Sequence, residues 1–155
     1  MLRKSGFILA ALGIALGGAV FAASALAQEG ARIAAEPAGD TFKAFGEKAG
    51  LVRIMDDFIV NLLQDPRTKP FFENADQARV KEQLVDQICF ILNGPCEYKG
   101  AKMKPMHANL DIKREHFNAL VEQLQFAMDK NKVPFRAQNK LLSVLAPMHR
   151  DIVTQ

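Results

Sequence analysis

The chain has 155 residues, of which 49% are hydrophobic and 24% charged, and its formal net charge is +3. This length allows one small domain with a modest core. The small net charge, with both signs mixed along the chain, argues against a nucleic-acid partner and against electrostatic binding to an anionic membrane.

The first 27 residues have the pattern of a secretory signal peptide. A basic start, Met1–Lys4, precedes an almost wholly apolar run at 6–23, and Ala25-Leu26-Ala27 supplies the small residues of a cleavage site. The alternative is a retained membrane anchor, because the run is long enough to cross a bilayer. Its glycines and the Ala-Leu-Ala sequence favour cleavage before Gln28, which would lower the net charge to +1. We therefore expect export, to the periplasm, with membrane contact only through an uncleaved signal segment.

Residues 28–40 show no apolar period and predict a flexible linker, which leaves residues 41–155 as the folded domain. Apolar residues of this domain recur at helical spacing, and no segment alternates as a half-buried strand does, so we predict an all-α fold. The first long helix is predicted at about 47–64, where Asp65-Pro66 ends it. After a short segment that ends at Phe72, the next helix begins after the N-cap Asp76 and ends at Asn93-Gly94-Pro95.

A long connection separates this pair of helices from a second pair. From Gly94 to about Asp111, glycine, proline and lysine interrupt the helical pattern. Only 104–107 predicts a single turn, with Pro105 as an acceptable first residue. Two further helices are predicted, at about 113–130 and over the apolar positions 141–152. A connection of this length is uncommon in a compact helical domain and indicates a functional segment.

The chain has three histidines, and one of them lies in this connection. His107 has the soft apolar residues Met103, Met106 and Ile112 around it, and neutral imidazole in an apolar wall is a common ligand of haem iron. From the residues alone, a structural histidine remains the alternative. His116 and His149 have polar and charged neighbours, which is typical of surface positions.

The two cysteines, Cys89 and Cys96, lie on either side of the predicted turn Asn93–Pro95. A chain reversal there and an oxidising compartment favour a disulfide; two buried thiols or a metal site are the alternatives. The Cys-x-x-Cys-His signature of covalent haem attachment does not occur, so any haem is expected to be held non-covalently, as haem b. Signatures of hydrolases and of nucleotide-binding loops do not occur either.

Short motifs in a characteristic order give the chain its resemblance to a known family. Residues 42–154 resemble the group 1 truncated haemoglobins through five segments: Gly46–Gly50; Asp57–Pro66 followed by Phe71-Phe72; Asn93–Pro95; Tyr98-x-Gly100-x-x-Met103-x-x-x-His107; and Leu145–Met148 followed by Asp151–Val153. One glycine of the usual first pair is Glu47 here. The resemblance implies a truncated globin fold, a two-over-two helical sandwich around haem b.

This resemblance also assigns roles to individual residues. His107 would be the proximal ligand of the haem iron. Apolar side chains would line the cofactor pocket, namely Phe58, Ile59, Phe72, Val80, Leu84, Ile88, Met103, Met106, Ile112, Phe117 and Leu120. For each of them, ordinary core packing is the alternative.

The expected distal side departs from the family pattern. Ile59 occupies the position that often carries a tyrosine in this family. Val80 and Leu84 on the next helix face it, and the family commonly has a glutamine at the position of Leu84. The loss of a buried donor should weaken oxygen binding by about 1–3 kcal/mol. Gln83, and after it Gln87, are the nearest polar side chains that could replace the donor, unless they face solvent at the pocket rim.

Three functions are compatible with these residues. The first is reversible binding of a diatomic gas, namely oxygen, nitric oxide or carbon monoxide, at a histidine-ligated haem. The second is a haem-dependent redox enzyme, such as a nitric oxide dioxygenase or a peroxidase-like enzyme, with an unknown electron donor. The third, a helical interaction module without a cofactor, would leave the long connection and His107 unexplained.

Overall fold

The computed structural model describes residues 32–33 and 39–155 of the chain. The expected signal peptide at 1–27 lies outside the described residues, as does most of the expected linker at 28–40. Within the described part, no helix has the length and apolar character needed to span a membrane.

The described part of the chain is helical and contains no strand. In chain order its helices are α1 (Asp40–Ala44), α2 (Glu47–Gln64), α3 (Lys69–Phe72), α4 (Gln77–Ile91), α5 (Met103–His107), α6 (Arg114–Lys130), α7 (Phe135–Leu145), a 3₁₀ turn (Ala146–Met148) and α8 (His149–Ile152).

Helix α2 lies at the centre of the fold and packs on both α4 and α6. Its buried face repeats every three to four residues, and Leu51, Ile54, Met55 and Leu62 on that face are at most 1% exposed. Helix α7 packs against α1 and α4, and the short α5 packs against α8. This arrangement is the two-over-two helical sandwich, and it confirms the predicted all-α fold.

Side-chain and backbone caps set the bounds of α4. The carboxylate of Asp76 accepts a hydrogen bond from the Arg79 N–H at 3.1 Å, as expected of an N-cap. At the other end, Asn93 adopts a left-handed φ of 58°. The N–H groups of Asn93 and Gly94 then donate to Phe90 O at 3.1 Å and Cys89 O at 2.8 Å, which satisfies the last carbonyls of the helix.

Two residues of the expected flexible linker are held against the domain. Ile33 is 8% exposed and belongs to the core, its N–H donates to Ile91 O at 3.0 Å, and its carbonyl accepts from the Asn93 amide. The Arg32 guanidinium lies 3.7 Å from the centroid of the Phe90 ring. The structure therefore differs from the expectation at these positions, because one apolar side chain and a backbone hydrogen bond are enough to hold the segment on α4.

The structure also refines the predicted elements at the ends of the domain. Helix α1 was not expected as an element, since five residues are too few for a periodic signal. The predicted last helix is divided: α7 ends at Leu145, a 3₁₀ turn with Pro147 near its start follows, and α8 begins at His149.

Candidate functional site

The connection between α4 and α5 is anchored close to its start. Cys89, fully buried in the last turns of α4, forms a disulfide with Cys96, and the two Cα atoms are 5.8 Å apart. Gly94 makes the close approach possible, because a Cβ there would lie 2.7 Å from both the Cys89 sulfur and the Phe42 ring. The chain that leads to His107 therefore leaves the core from a fixed point.

The next part of the connection is shaped by Tyr98. A Cβ at Gly100 would overlap the Tyr98 ring, so a glycine at this position lets the ring fold back over the backbone. The Tyr98 hydroxyl donates to Ala101 O at 3.5 Å. Partial burial raises the pKa of Tyr98 above its ordinary value of 10.0.

His107 is the last residue of α5, is half-buried, and has its Nδ1 atom 2.7 Å from Met103 O. A carbonyl oxygen can only accept, so Nδ1 carries a hydrogen, and in the neutral imidazole Nε2 then keeps its lone pair. No described residue hydrogen-bonds Nε2. A ring oriented by a backbone carbonyl, with the other nitrogen available, is the arrangement that metal-binding histidines adopt.

The other two histidines are held by local contacts. His116 Nδ1 accepts a hydrogen bond from the Lys113 N–H at 3.2 Å and so caps the start of α6. Its ring centroid lies 4.9 Å from that of Phe71. His149 Nδ1 lies 2.9 Å from Ala146 O, and its ring is 6.2 Å from that of Phe117. His149 is half-buried, which the expectation of a surface position did not anticipate.

The structure groups the predicted distal residues around α2 and α4. Seven of the predicted lining residues belong to the main apolar cluster or pack against it: Phe58, Ile59 and Ile88 are buried within it, and Phe72, Val80, Leu84 and Leu120 lie half-buried at its margin. These four half-buried side chains, Phe72, Val80, Leu84 and Leu120, form the apolar margin of the cluster, and a flat apolar ring can cover such a surface.

The remaining lining residues lie near α5 and α8 instead. Ile112 is 8% exposed, and its carbonyl accepts from the Thr154 N–H at 2.9 Å; Met103 and Phe117 are half-buried. Met106 is 60% exposed, because adjacent residues of a helix point about 100° apart and His107 takes the inward side. The structure therefore does not place Met106 with the other lining residues.

The two glutamines considered for the distal side occupy different environments. Gln83 is exposed on α4, whereas Gln87, one turn later, is 9% exposed. Gln87 is therefore the more enclosed of the two side chains.

The donor set fits haem. His107 offers an available ring nitrogen, and the half-buried apolar side chains include the aromatic ring of Phe72, which is the chemistry that haem requires. Two surface concavities elsewhere contain none of the predicted lining residues. One is bounded by Lys113–Glu115 and Gln155 and the other by residues of α1 and α7, and their charged walls do not suit an apolar ring.

Comparison with known proteins agrees with this fold. The bacterial-like globin family matches residues 40–154. The chain is 30% identical over 120 residues to the group 1 truncated hemoglobin GlbN of Mycolicibacterium paratuberculosis, which covers 77% of this chain and 88% of that protein. The crystal structure of the Fe(III) form of truncated hemoglobin from Tetrahymena pyriformis superposes with a TM-score of 0.70 at 25% identity, covering 74% of this chain and 98% of that one.

The chain therefore belongs to the bacterial-like globin family, and within it to the group 1 truncated haemoglobins. Proteins of this family bind haem and gaseous ligands. This confirms the resemblance inferred from the order of the sequence motifs.

Proposed function

We propose that the protein is an exported truncated globin that binds a diatomic gas reversibly at a haem b whose iron is ligated by His107. The observation that carries the proposal is the hydrogen bond between His107 Nδ1 and Met103 O, which orients the ring and leaves Nε2 available. When bound, haem supplies the iron centre at which a gas ligand is held.

The residues of this chain would perform three tasks. Met103 O holds the imidazole in one tautomer, while the margin formed by Phe72, Val80 and Leu84 covers the ring and excludes water. Ile59, buried beside this margin, offers no donor to the gas. An apolar wall of this kind favours carbon monoxide over oxygen and promotes rapid oxygen release, because bound oxygen gains more from a hydrogen bond.

The disulfide supports export of the protein. Disulfides persist in oxidising compartments such as the periplasm, and Cys89–Cys96 joins the core to the connection that carries His107. The absence from the sequence of a Cys-x-x-Cys-His motif supports haem b rather than the covalently attached c type.

The proposal is tested by haem titration of the purified apoprotein, with the Soret band as readout. We expect one haem per chain, near-complete loss of retention in His107→Ala, and retention in the matched variants His116→Ala and His149→Ala. Full occupancy with an unchanged spectrum in His107→Ala would remove His107 from the iron. Loss in His149→Ala alone would assign the ligand to His149.

A further inference from the structure

Asp65, in the turn between α2 and α3, accepts hydrogen bonds with both oxygens of its carboxylate. Oδ1 accepts from the Arg67 N–H at 2.8 Å and from Arg67 Nε at 3.0 Å. Oδ2 accepts from Arg67 Nη2 at 2.6 Å and from Gln123 Nε2 at 2.7 Å. The Asp65 side chain is only 8% exposed. A bidentate pair with a carboxylate so far withdrawn from water fixes the geometry of the turn as well as contributing energy.

These hydrogen bonds connect the turn to α6 at two points. Gln123 lies on α6 and is 9% exposed, and Arg67 Nη2 also donates to Glu122 Oε2 at 2.6 Å. The amide of Asn61, in the last turn of α2, donates to Gln123 O at 3.3 Å. We call Asp65, Arg67, Glu122 and Gln123 the Asp65 cluster. The cluster fixes the turn to α6 by side-chain bonds, in addition to the backbone bonds that the turn makes itself.

Helix α3 begins immediately after this turn and depends on it for its position. The N–H of Lys69, the first residue of α3, donates to Asp65 O at 2.8 Å. The hydroxyl of Thr68, which precedes it, donates to Leu62 O at 2.8 Å. Four residues are too few for a helix that is stable by itself, because nucleation costs more than so few hydrogen bonds return. The contacts that flank α3 therefore determine where its side chains lie.

The two aromatic rings of α3 have different neighbours. Phe71 lies against α6, with its ring centroid 4.9 Å from that of His116. Phe72 is half-buried in the apolar margin that the haem is proposed to cover. Adjacent residues of a helix point about 100° apart, so a shift or rotation of α3 moves both rings together. The Asp65 cluster, by fixing the start of α3, consequently sets the place of the Phe72 ring.

We propose that Asp65 is a positioning residue of the haem pocket, which holds Phe72 in place by fixing the start of α3. This inference rests on the proposed function and deepens it, since it names a residue that controls haem retention although it is not among the predicted lining residues. Both carboxylate oxygens are needed, because each accepts from a different set of donors. An asparagine has the same shape but only one acceptor oxygen, and its NH₂ group would face a donor.

The first test compares amide hydrogen exchange in Asp65→Asn and Asp57→Asn. Asp57 is the matched control, because its carboxylate also joins α2 to the α6 side of the fold, through Lys130 at 2.7 Å and Asn131 at 2.8 Å, and makes no hydrogen bond to α3. Relative to the amides at the centre of α2, the amides of α3 should exchange about tenfold faster or more in Asp65→Asn. They should be unchanged in Asp57→Asn, with or without haem.

The second test measures haem retention by transfer of the haem to an excess of apomyoglobin. Asp65→Asn should lose haem roughly tenfold faster than the unmodified protein, as expected for the loss of a hydrogen bond to a charged group. Asp57→Asn should lose it at the unmodified rate. Because Asp65 acts through Phe72, the double variant Asp65→Asn/Phe72→Ala should lose haem no faster than Phe72→Ala alone.

Unchanged exchange of the α3 amides, equal haem loss from the two asparagine variants, or additive effects in the double variant would overturn the proposal. Arg67→Lys keeps the charge but loses the fork that binds both carboxylate oxygens, and it provides the same comparison if Asp65→Asn does not fold. A failure of the proposed function is distinguishable, because the unmodified protein would then show no Soret band on titration, while the exchange of the α3 amides would still differ between the variants.

Discussion

Reduction of the disulfide between Cys89 and Cys96 is expected to lower the free energy of unfolding by a predictable amount. The bond closes a loop with a sequence separation of 7 residues. In the chain-entropy treatment, such a loop restricts the unfolded chain and contributes about 2.5 kcal/mol at 25 °C. A domain of this size is stable by roughly 5–15 kcal/mol, so the change is a substantial fraction of the total.

Urea unfolding of the purified protein with and without a dithiol reductant measures this effect. The reduced protein should unfold at a lower urea concentration, and Cys89→Ala/Cys96→Ala should be insensitive to the reductant. The double variant serves as the control for any other action of the reductant. Equal unfolding curves for the oxidised and reduced protein, together with free thiols that react readily with an alkylating reagent, would refute the reasoning.

Three further predictions follow from named contacts. Ile59→Tyr should release oxygen about tenfold more slowly than Ile59→Phe, because the two side chains differ only by the hydroxyl donor, and carbon monoxide release should change little. Equal rates of oxygen release in the two variants, measured by flash photolysis, would contradict this prediction. Hydrogen bonds from Arg67 lower the pKa of Asp65 from 3.8 to about 2, so their stabilisation is present above pH 4 and is lost as the pH falls through about 2. Asp65→Asn should therefore be less stable at neutral pH, with the difference narrowing in acid; a constant difference across an acid titration would argue against the assignment. Ile33→Ala should lower stability by about 2 kcal/mol or more if the segment is held on α4 in solution, whereas an unchanged urea midpoint would show that it is not.

Local sequence signals accounted for the long helices and their ends. The apolar period of α2 continues without interruption, Asp76 is a strong N-cap residue, and Asn93-Gly94-Pro95 contains the residues that a left-handed helix end requires. His107 was a candidate because its methionine neighbours and the irregular connection are both visible in the chain, and its role as the proximal ligand was implied by the resemblance to the truncated haemoglobins. These features depend on residues that are close together in sequence.

The environment of each glutamine and the position of Ile33 depended on tertiary packing. Gln83 and Gln87 are the same residue type and lie about one turn apart on α4, yet Gln83 is exposed and Gln87 is only 9% exposed. Ile33 is a lone apolar residue without a periodic partner, and its burial comes from Ile91 and Asn93, about sixty positions away in the chain.

The all-α class and the approximate bounds of the long helices follow from local sequence, because helix propensity, capping and periodicity act over a few residues. The tertiary structure was needed to show which nitrogen of His107 is available and that Met106 faces solvent. Burial and hydrogen-bond partnership are properties of surfaces brought together from distant parts of the chain, so no local pattern encodes them.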